Sequence, residues 1–496
     1  MAGSGLVHRE FHHRASQIPV HGLGLSVDLH APDLTSLRRT LQERQVSPTY
    51  FEVFRTTTSA LVSARRELGE GLLTYHGEGL WVTQPDMVGE WALRPELDET
   101  VEQLLTLQSA WLNHECATKY LAGYVFGTYL PPLYTSQSAQ VVVENTQQIQ
   151  NLLDERCQLI NGTTPLVLLE MPPLTYFLPG TIPVQTFFRL LTEQVPCGMV
   201  LDIGHLWTLF RYSGASLTRS LEQFVEAFLS EFPLDRVVEI HIAGLALHES
   251  CQASCLSPST PMGEDALPVW TDAHAAPIPS VLFEMLDQVL SHPRLTHLKG
   301  MALEVDTKPE ELIAEEFAAF SERYADGFQR VTAEASRSFD GSDAVLVQSE
   351  SMSVATRQVL EQEYERYARV LVGQAELADV EWSRSPGWFE ELDRYRSSYL
   401  PYEILQWGGK VDDMFPDTCR RLTEQGVPLA GFLSFWFREP RPLDGIYDYF
   451  LLKIERFVKF IGEVAPDLQS TVGREAAVLQ QAYRVANEPL ISVRVN

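Results

Sequence analysis

Cysteine is scarce in this chain, with six in 496 residues. So few cysteines, so widely spaced, exclude the dense disulfide framework of a small secreted domain. Cys251 and Cys255 lie close enough in sequence to bind zinc or to form a redox disulfide. A second pair of ligands is missing around them, and we interpret both as free thiols in a loop.

Basic residues are also few: 38 Lys and Arg stand against 66 Asp and Glu, for a net charge of −28. This charge repels phosphate backbones and anionic lipid surfaces, so neither nucleic acid nor a membrane is an expected partner. No segment approaches the roughly 18 consecutive apolar residues of a membrane span. Residues 1–19 lack the apolar core of a signal peptide. We therefore expect a cytoplasmic protein with a flexible N-terminal tail over residues 1–19.

Histidine is absent from residues 298–496, because all thirteen histidines lie between His8 and His297. Imidazole chemistry, if the protein uses it, therefore belongs to the first part of the chain. The sequence pattern also changes near Tyr324, after which apolar residues follow helical spacing in segments rich in Glu and Arg. We predict a catalytic domain over residues 20–325 and a mostly α-helical domain over residues 326–496.

Before residue 325, short apolar runs alternate with amphipathic segments of helical length. Eight such units in about 300 residues predict a (β/α)8 TIM barrel. A doubly wound open sheet is the alternative, but it should show a glycine-rich phosphate turn, and Gly22-Leu23-Gly24 lacks the third glycine. The predicted strands are residues 22–28, 50–54, 71–76, 109–114, 165–170, 199–202, 237–242 and 298–305.

Metal-ligating side chains occur at the ends of six successive predicted strands and in the loop after the seventh strand. The carboxyl ends of barrel strands meet at one rim, so these side chains are predicted to converge on one cavity. A single histidine or carboxylate of this kind is usually a hydrogen-bonded core residue or a helix cap, but this many in succession is improbable by accident. The nine candidates are His76, His114, Glu170, Asp202, His205, His241, Asp272, His274 and Glu304.

Several buried imidazoles and carboxylates would cost several kcal/mol of desolvation without a compensating positive charge. A metal cluster supplies that charge. Five histidines and four carboxylates exceed the ligands of one ion, since zinc takes about four and iron up to about six. The sequence thus predicts two or three ions, bridged by a carboxylate such as Glu170. These ligand types leave iron and zinc both open.

The motifs around these residues resemble the DUF692 family of multinuclear non-heme iron-dependent oxidative enzymes (MNIO), which includes the methanobactin biosynthesis oxidase and the 3-thiaglutamate pathway enzyme. The resemblance spans about residues 20–320 and implies a TIM barrel that binds two or three iron ions, as Fe2+ and Fe3+. The matching segments are His76-Gly77-Glu78-Gly79-Leu80, Asn113-His114, Leu169-Glu170, Leu201-Asp202-Ile203-Gly204-His205, His241-Ile242-Ala243-Gly244, Asp272-Ala273-His274 and Leu303-Glu304.

The chain departs from the family pattern at two places. Phe54-Arg55-Thr56 stands where the family usually has a Glu-Asn pair, and Met171 replaces an asparagine. The resemblance places both departing positions either next to the substrate or in contact with the metal ligands. The departures therefore bear more on the substrate than on the metals.

The resemblance implies an oxidase that uses O2 as co-substrate and modifies a cysteine of a ribosomally synthesised peptide. Family members often work with a separate leader-binding protein. The domain after residue 325 either fills that role in the same chain or serves in oligomerisation. The alternatives are a trinuclear zinc phosphodiesterase of the endonuclease-IV-like barrels, a small-molecule isomerase on a related barrel, and a non-catalytic metal-binding scaffold.

Overall fold

The computed structural model of the protein describes residues 2–29, 31–69, 71–87, 94–247, 267–335, 351–376, 382, 387–406, 409–440 and 448–487. The chain forms two compact units. The first comprises Met1–Thr118, Pro131–Glu361 and Glu381–Glu391, and the second comprises Lys119–Leu130, Gln362–Val380 and Leu392–Asn496.

Eight parallel strands close into a barrel, which confirms the predicted fold. Around the barrel, the first strand pairs with the second and with the eighth, and every other strand pairs with its neighbours in sequence order. Their side chains are almost all buried, as continuous apolar runs predict for strands covered by helices. The strands are Gly22–Val27, Tyr50–Phe54, Leu72–Gly77, Trp111–Glu115, Leu166–Glu170, Gly198–Asp202, Val237–Ile242 and Gly300–Glu304.

Helices follow the strands, as the amphipathic segments predict. Two helices, and not one, follow the sixth strand, and the last helix runs past residue 325, where the sequence predicts the domain boundary. The helices are Leu34–Glu43, Thr58–Leu68, Pro95–Leu107, Ser136–Arg156, Val184–Thr192, Ile203–Tyr212, Leu221–Glu231, Ser280–Leu290 and Glu310–Ala335.

The N-terminal segment differs from the expected flexible tail, because Ala2–Gln17 forms a helix. Phe11 and Ala15 of this helix are fully buried with Ile18 and with residues that begin barrel strands, such as Tyr50 and Trp111. The helix therefore packs on the amino-terminal end of the barrel, opposite the rim. Its few apolar residues have the i, i+4 and i+7 spacing of one helix face, a signal too short to stand out in the sequence.

The second unit is mostly helical, as predicted, and it includes a β-hairpin. The hairpin strands Thr118–Leu121 and Tyr124–Leu130 come directly after the fourth barrel strand in sequence. The indole nitrogen of Trp436 donates to the Val125 carbonyl at 2.7 Å. The remaining helices that lie in this unit, wholly or in part, are Val354–Leu371, Trp388–Arg394, Leu400–Leu405, Val411–Met414, Pro416–Glu424, Gly431–Trp436, Asp448–Val464 and Gln469–Asn487.

Candidate metal centre

The structure brings eight of the nine predicted residues into one continuous network at the carboxyl ends of the barrel strands. Successive members of the network have side-chain nitrogen and oxygen atoms between 3.1 and 3.9 Å apart. In order of contact they are His76, Glu170, His241, Glu304, His274, Asp272, His205 and Asp202.

Glu170 lies at the centre of this network. Its Oε2 is 3.3 Å from His76 Nε2, and its Oε1 is 3.4 Å from His241 Nδ1 and 3.7 Å from His205 Nδ1. The Asn113 amide donates to Oε2 at 2.9 Å and fixes the carboxylate plane. A carboxylate surrounded by three imidazoles is a candidate ligand for more than one bound cation.

Three imidazoles are held from outside the site by a bond from Nδ1–H. His205 donates to the Met171 carbonyl at 2.7 Å, His76 donates to the Gly77 carbonyl at 3.2 Å, and His274 donates to Asp306 at 3.0 Å. Each bond leaves Nε2 of its ring facing the network carboxylates. Metal-ligating histidines have this arrangement, because a partner on the far nitrogen fixes the ring and its tautomer.

His241 has its ring reversed, so that Nδ1 faces the network and Nε2 points away from it. Its Nδ1 lies 3.2 Å from Glu304 and 3.4 Å from Glu170, while its Nε2 lies 3.1 Å from Glu52 and 3.6 Å from Glu239. Glu52 and Glu239 lie deeper in the barrel, each with a partner: Ser26 donates to Glu52 at 2.9 Å and the Tyr50 hydroxyl donates to Glu239 at 2.6 Å.

Asp202 serves two purposes at once. One oxygen, Oδ1, caps the helix Ile203–Tyr212 by accepting from the backbone N–H of His205 at 2.6 Å. The other oxygen, Oδ2, is buried and has no hydrogen-bond partner in the described part of the chain. The cap therefore orients the carboxylate and leaves Oδ2 without a protein partner.

Asp272 and His274 are positioned by the short hairpin Leu245–Leu247 and Trp270–Asp272. The Ala273 N–H donates to the Gly244 carbonyl at 2.9 Å, which ties the pair to the end of the seventh strand. A Cβ at Gly244 would collide with the Ala276 carbonyl oxygen, so this close approach requires glycine. Cys251 and Cys255, between the two hairpin strands, lie outside the described residues.

His114 is the predicted residue that the structure does not bring into the network. Its Nε2 accepts a bond from the Leu80 N–H at 3.0 Å, and its Nδ1 donates to the Glu115 carbonyl at 2.8 Å. Burial, with a smaller contribution from the nearby His76, lowers its pKa to about 4. His114 is therefore a neutral, fully bonded side chain beside the site.

Sequence reasoning missed three buried carboxylates near the network: Glu52, Glu115 and Glu239. Each forms a possible cation site with network residues. A signal was available, because a carboxylate inside an apolar strand is costly to bury without a partner or a cation. Among the described residues, five groups of side chains have ligand atoms within 4.8 Å of one another and could each hold a cation. They are Glu52–Glu239–His241, Glu52–His76–Glu304, His76–Glu115–Glu170, Glu170–His241–Glu304 and Glu170–Asp202–His205.

The site carries an excess of negative charge, which bound protons offset in the metal-free protein. Burial lowers the pKa of His76, but Glu170 and Glu52 outweigh burial and raise it to about 9. Neighbouring carboxylates also outweigh burial at His205, His241 and His274, and they raise the pKa values of these imidazoles well above the usual range. Bound cations would take the place of these protons.

Buried oxygens without hydrogen-bond partners also mark the site within the described residues. Such atoms are costly unless a cation satisfies them. The donor set of imidazoles and carboxylates fits iron or zinc and contains no thiolate. The residues present therefore fit a cluster of two or more ions. The unpartnered oxygens belong to Glu52, Glu115, Glu170, Asp202, Glu239, Asp272 and Glu304.

The family is decided by a comparison with known protein families. The family described as RiPP precursor modification enzyme MbnB/TglH/ChrH, where RiPP denotes a ribosomally synthesised and post-translationally modified peptide, matches residues 21–322. The chain belongs to this family. The resemblance to DUF692 proteins drawn from the sequence is thereby confirmed. The matched range contains every barrel strand and every residue of the network.

Curated relatives are similar over part of the barrel. A UPF0276 protein of Rhizobium meliloti is 25% identical over 188 residues, which are 38% of this chain and 49% of that protein. A UPF0276 protein of Vibrio parahaemolyticus is 23% identical over 196 residues, which are 39% of this chain and 56% of that protein. The chain thus spans about half the length of these relatives.

Solved structures to which the chain is similar include endonuclease IV from Thermus thermophilus and a D-allulose 3-epimerase from Methylomonas. The first is 16% identical, with a TM-score of 0.35, and covers 62% of this chain and 99% of its own. The second is 11% identical, with a TM-score of 0.32, and covers 63% of this chain and 95% of its own. Likenesses at this level carry no argument about function.

Among the described residues, no helix combines the length and the hydrophobicity that a membrane span requires.

Proposed function

We propose that this protein is a multinuclear iron-dependent oxidase that uses O2 to modify a cysteine of a ribosomally synthesised precursor peptide. Membership of a family of RiPP precursor modification enzymes supports the peptide substrate. The observation that carries the metal centre is the orientation of four imidazoles that face the same group of carboxylates. Three of them are held by a hydrogen bond from the far nitrogen, and the fourth, His241, has its far nitrogen 3.1 Å from Glu52.

The residues of the network would hold two or three ions that share ligands. Glu170 belongs to three of the possible cation sites, and His241 and Glu304 each belong to two. Iron in such a centre supplies one-electron chemistry with dioxygen and affinity for a thiolate. The carboxylates balance the charge of the ions, and the imidazoles enter as neutral ligands.

Exposure of the ligands indicates the side from which a substrate reaches the centre. Glu170, Asp202 and His241 are fully buried, whereas Asp272 and His274 are partly exposed. The protein therefore excludes water from the inner ligands and admits a peptide past the pair at the hairpin.

Elemental analysis of anaerobically purified protein, together with Mössbauer spectra, tests the metal. We expect two to three irons per chain. Zinc alone, after artefacts of loading and oxidation have been excluded, would contradict the oxidase and favour the phosphodiesterase. His205→Ala should lose metal and keep the native circular dichroism, because a rim residue contributes little to the barrel core.

Oxygen uptake tests the reaction. We expect the iron-loaded protein to consume O2 in the presence of a cysteine-containing precursor peptide and not with the same peptide carrying Ser in place of Cys. Equal uptake with both peptides would rule out the cysteine as the reacting group. Leader recognition, which we assign to a partner protein or to the helical domain after residue 325, predicts that a leaderless peptide raises KM more than it lowers kcat.

A further inference from the structure

Glu115 occupies the place at the end of the fourth strand where the sequence predicts His114 as a ligand. Successive side chains of a strand point to opposite faces, so Glu115 lies on the side of Asn113, whose amide contacts Glu170. His114 lies on the other side and bonds the Leu80 backbone. Only one of these two neighbours can face the network.

Glu115 and Glu170 stand side by side in the barrel. They are register partners on the paired fourth and fifth strands. One oxygen of Glu115, one oxygen of Glu170 and one nitrogen of His76 lie within 4.8 Å of one another. This spacing allows one cation to contact all three side chains.

A positively charged partner would stabilise the Glu115 carboxylate. It is 5% exposed, and its Oε2 is buried with no hydrogen-bond partner among the described residues. Two adjacent buried carboxylates repel each other strongly in a low-dielectric interior. A shared cation removes both the repulsion and the unsatisfied oxygen.

We propose that Glu115 is a metal ligand that shares an ion with His76 and Glu170 and takes the place predicted for His114. The inference rests on the proposed function, because it requires the metal centre to exist. Exchange of a neutral imidazole for a carboxylate adds one negative charge beside this ion. Such a ligand favours a harder, more highly charged ion at the fourth-strand side of the centre.

The test compares Glu115→Gln with His114→Gln and with the conservative Glu115→Asp. Each protein is loaded anaerobically with ferrous iron, and the bound iron is measured per chain and by competition with a chelator. We expect Glu115→Gln to lose one ion per chain, or to bind the weakest ion at least tenfold more weakly. Glu115→Asp should retain more iron than Glu115→Gln, and His114→Gln should keep the full complement of ions.

Thermal unfolding of the metal-free proteins separates a ligand from a structural role. As a ligand, Glu115 is a source of repulsion without metal, so Glu115→Gln should have an equal or higher Tm than the parent protein. A lower Tm with unchanged iron binding would assign Glu115 to the fold and overturn the inference. Loss of an ion in His114→Gln, with none lost in Glu115→Gln, would also overturn it.

The parent protein distinguishes this inference from the proposed function. If the parent binds no metal under these conditions, both fail. If the parent binds two or three irons and Glu115→Gln binds them equally well, the proposed function stands and the assignment of Glu115 fails.

Discussion

Glu52 Oε1 lies 3.1 Å from His241 Nε2, on the side of the imidazole opposite Nδ1, which faces Glu304 and Glu170. Both side chains are fully buried, and Ser26 donates to the same Glu52 oxygen at 2.9 Å. A carboxylate in this position fixes the orientation of the ring and makes Nδ1 a stronger ligand. The centre is thus supported from within the barrel as well as formed at its rim.

Substitution of Glu52 should weaken metal binding. Glu52→Gln removes the charge that supports His241, and losses of such partners typically cost about 10- to 100-fold in metal affinity. Iron affinity measured by chelator competition checks the prediction. Ser26→Ala is the matched control, because it removes one bond to Glu52 and keeps the carboxylate. Equal affinities in the parent and Glu52→Gln would mean that Glu52 does not support His241.

Substitution of Gly244 should damage the centre through the backbone. In Gly244→Ala, the new Cβ collides with the Ala276 carbonyl and lies 2.7 Å from the Ala273 carbonyl. The segment that carries Asp272 and His274 must then move, and we expect loss of about one bound iron with native circular dichroism. Gly473→Ala, where a Cβ meets nothing within 4 Å, is the control. Full iron binding in Gly244→Ala would show that the hairpin does not position these ligands.

The N-terminal helix should contribute to stability. Phe11 is fully buried at the base of the barrel, and Phe→Ala changes in cores cost about 3–5 kcal/mol. We expect Phe11→Ala to lower the free energy of unfolding in urea by a comparable amount, whereas Arg9→Ala, at an exposed position of the same helix, should change it little. A Phe11→Ala protein as stable as its parent would support the flexible tail that the sequence predicts.

His21 should make the metal-free protein less stable in acid. Burial lowers the pKa of His21 to about 4, against about 6.5 in an unfolded chain. The unfolded state therefore takes up a proton first as the pH falls from about 6.5 to about 4, and stability is lost over that window, by about 3 kcal/mol at most. Above about pH 6.5 both states are neutral and the contribution of His21 is fully present.

Unfolding in urea at pH 7 and pH 4 measures this effect, with His21→Gln for comparison. Acid protonates many other groups in both proteins, so the informative quantity is the difference between the two declines in stability. We expect the parent to lose more free energy of unfolding than His21→Gln. Parallel declines would show that the histidine beside Trp111 and Tyr50 does not resist protonation.

Local sequence patterns were sufficient for the barrel. Buried strands give apolar runs and covering helices give amphipathic segments, and both patterns depend on residues a few positions apart. The same patterns located Asp202 and Glu170 at strand ends, where barrel geometry brings side chains together. The N-terminal helix was not predicted, because its contacts are with strands distant in sequence and only a few apolar residues, among them Phe11, Ala15 and Ile18, mark the face that packs on the barrel.

The direction of each side chain depended on the tertiary structure. His114 and Glu115 are adjacent in a strand buried on both faces, so no alternation in the sequence distinguishes the inward residue from the outward one. Closure of the barrel and the register of the fourth and fifth strands decide which of the two residues faces inward, and they turn Glu115 toward Glu170. The sequence by itself determined which residues are able to bind metal, since that is a property of each side chain. The fold alone decided which of them meet, since that requires the pairing of strands far apart in the chain.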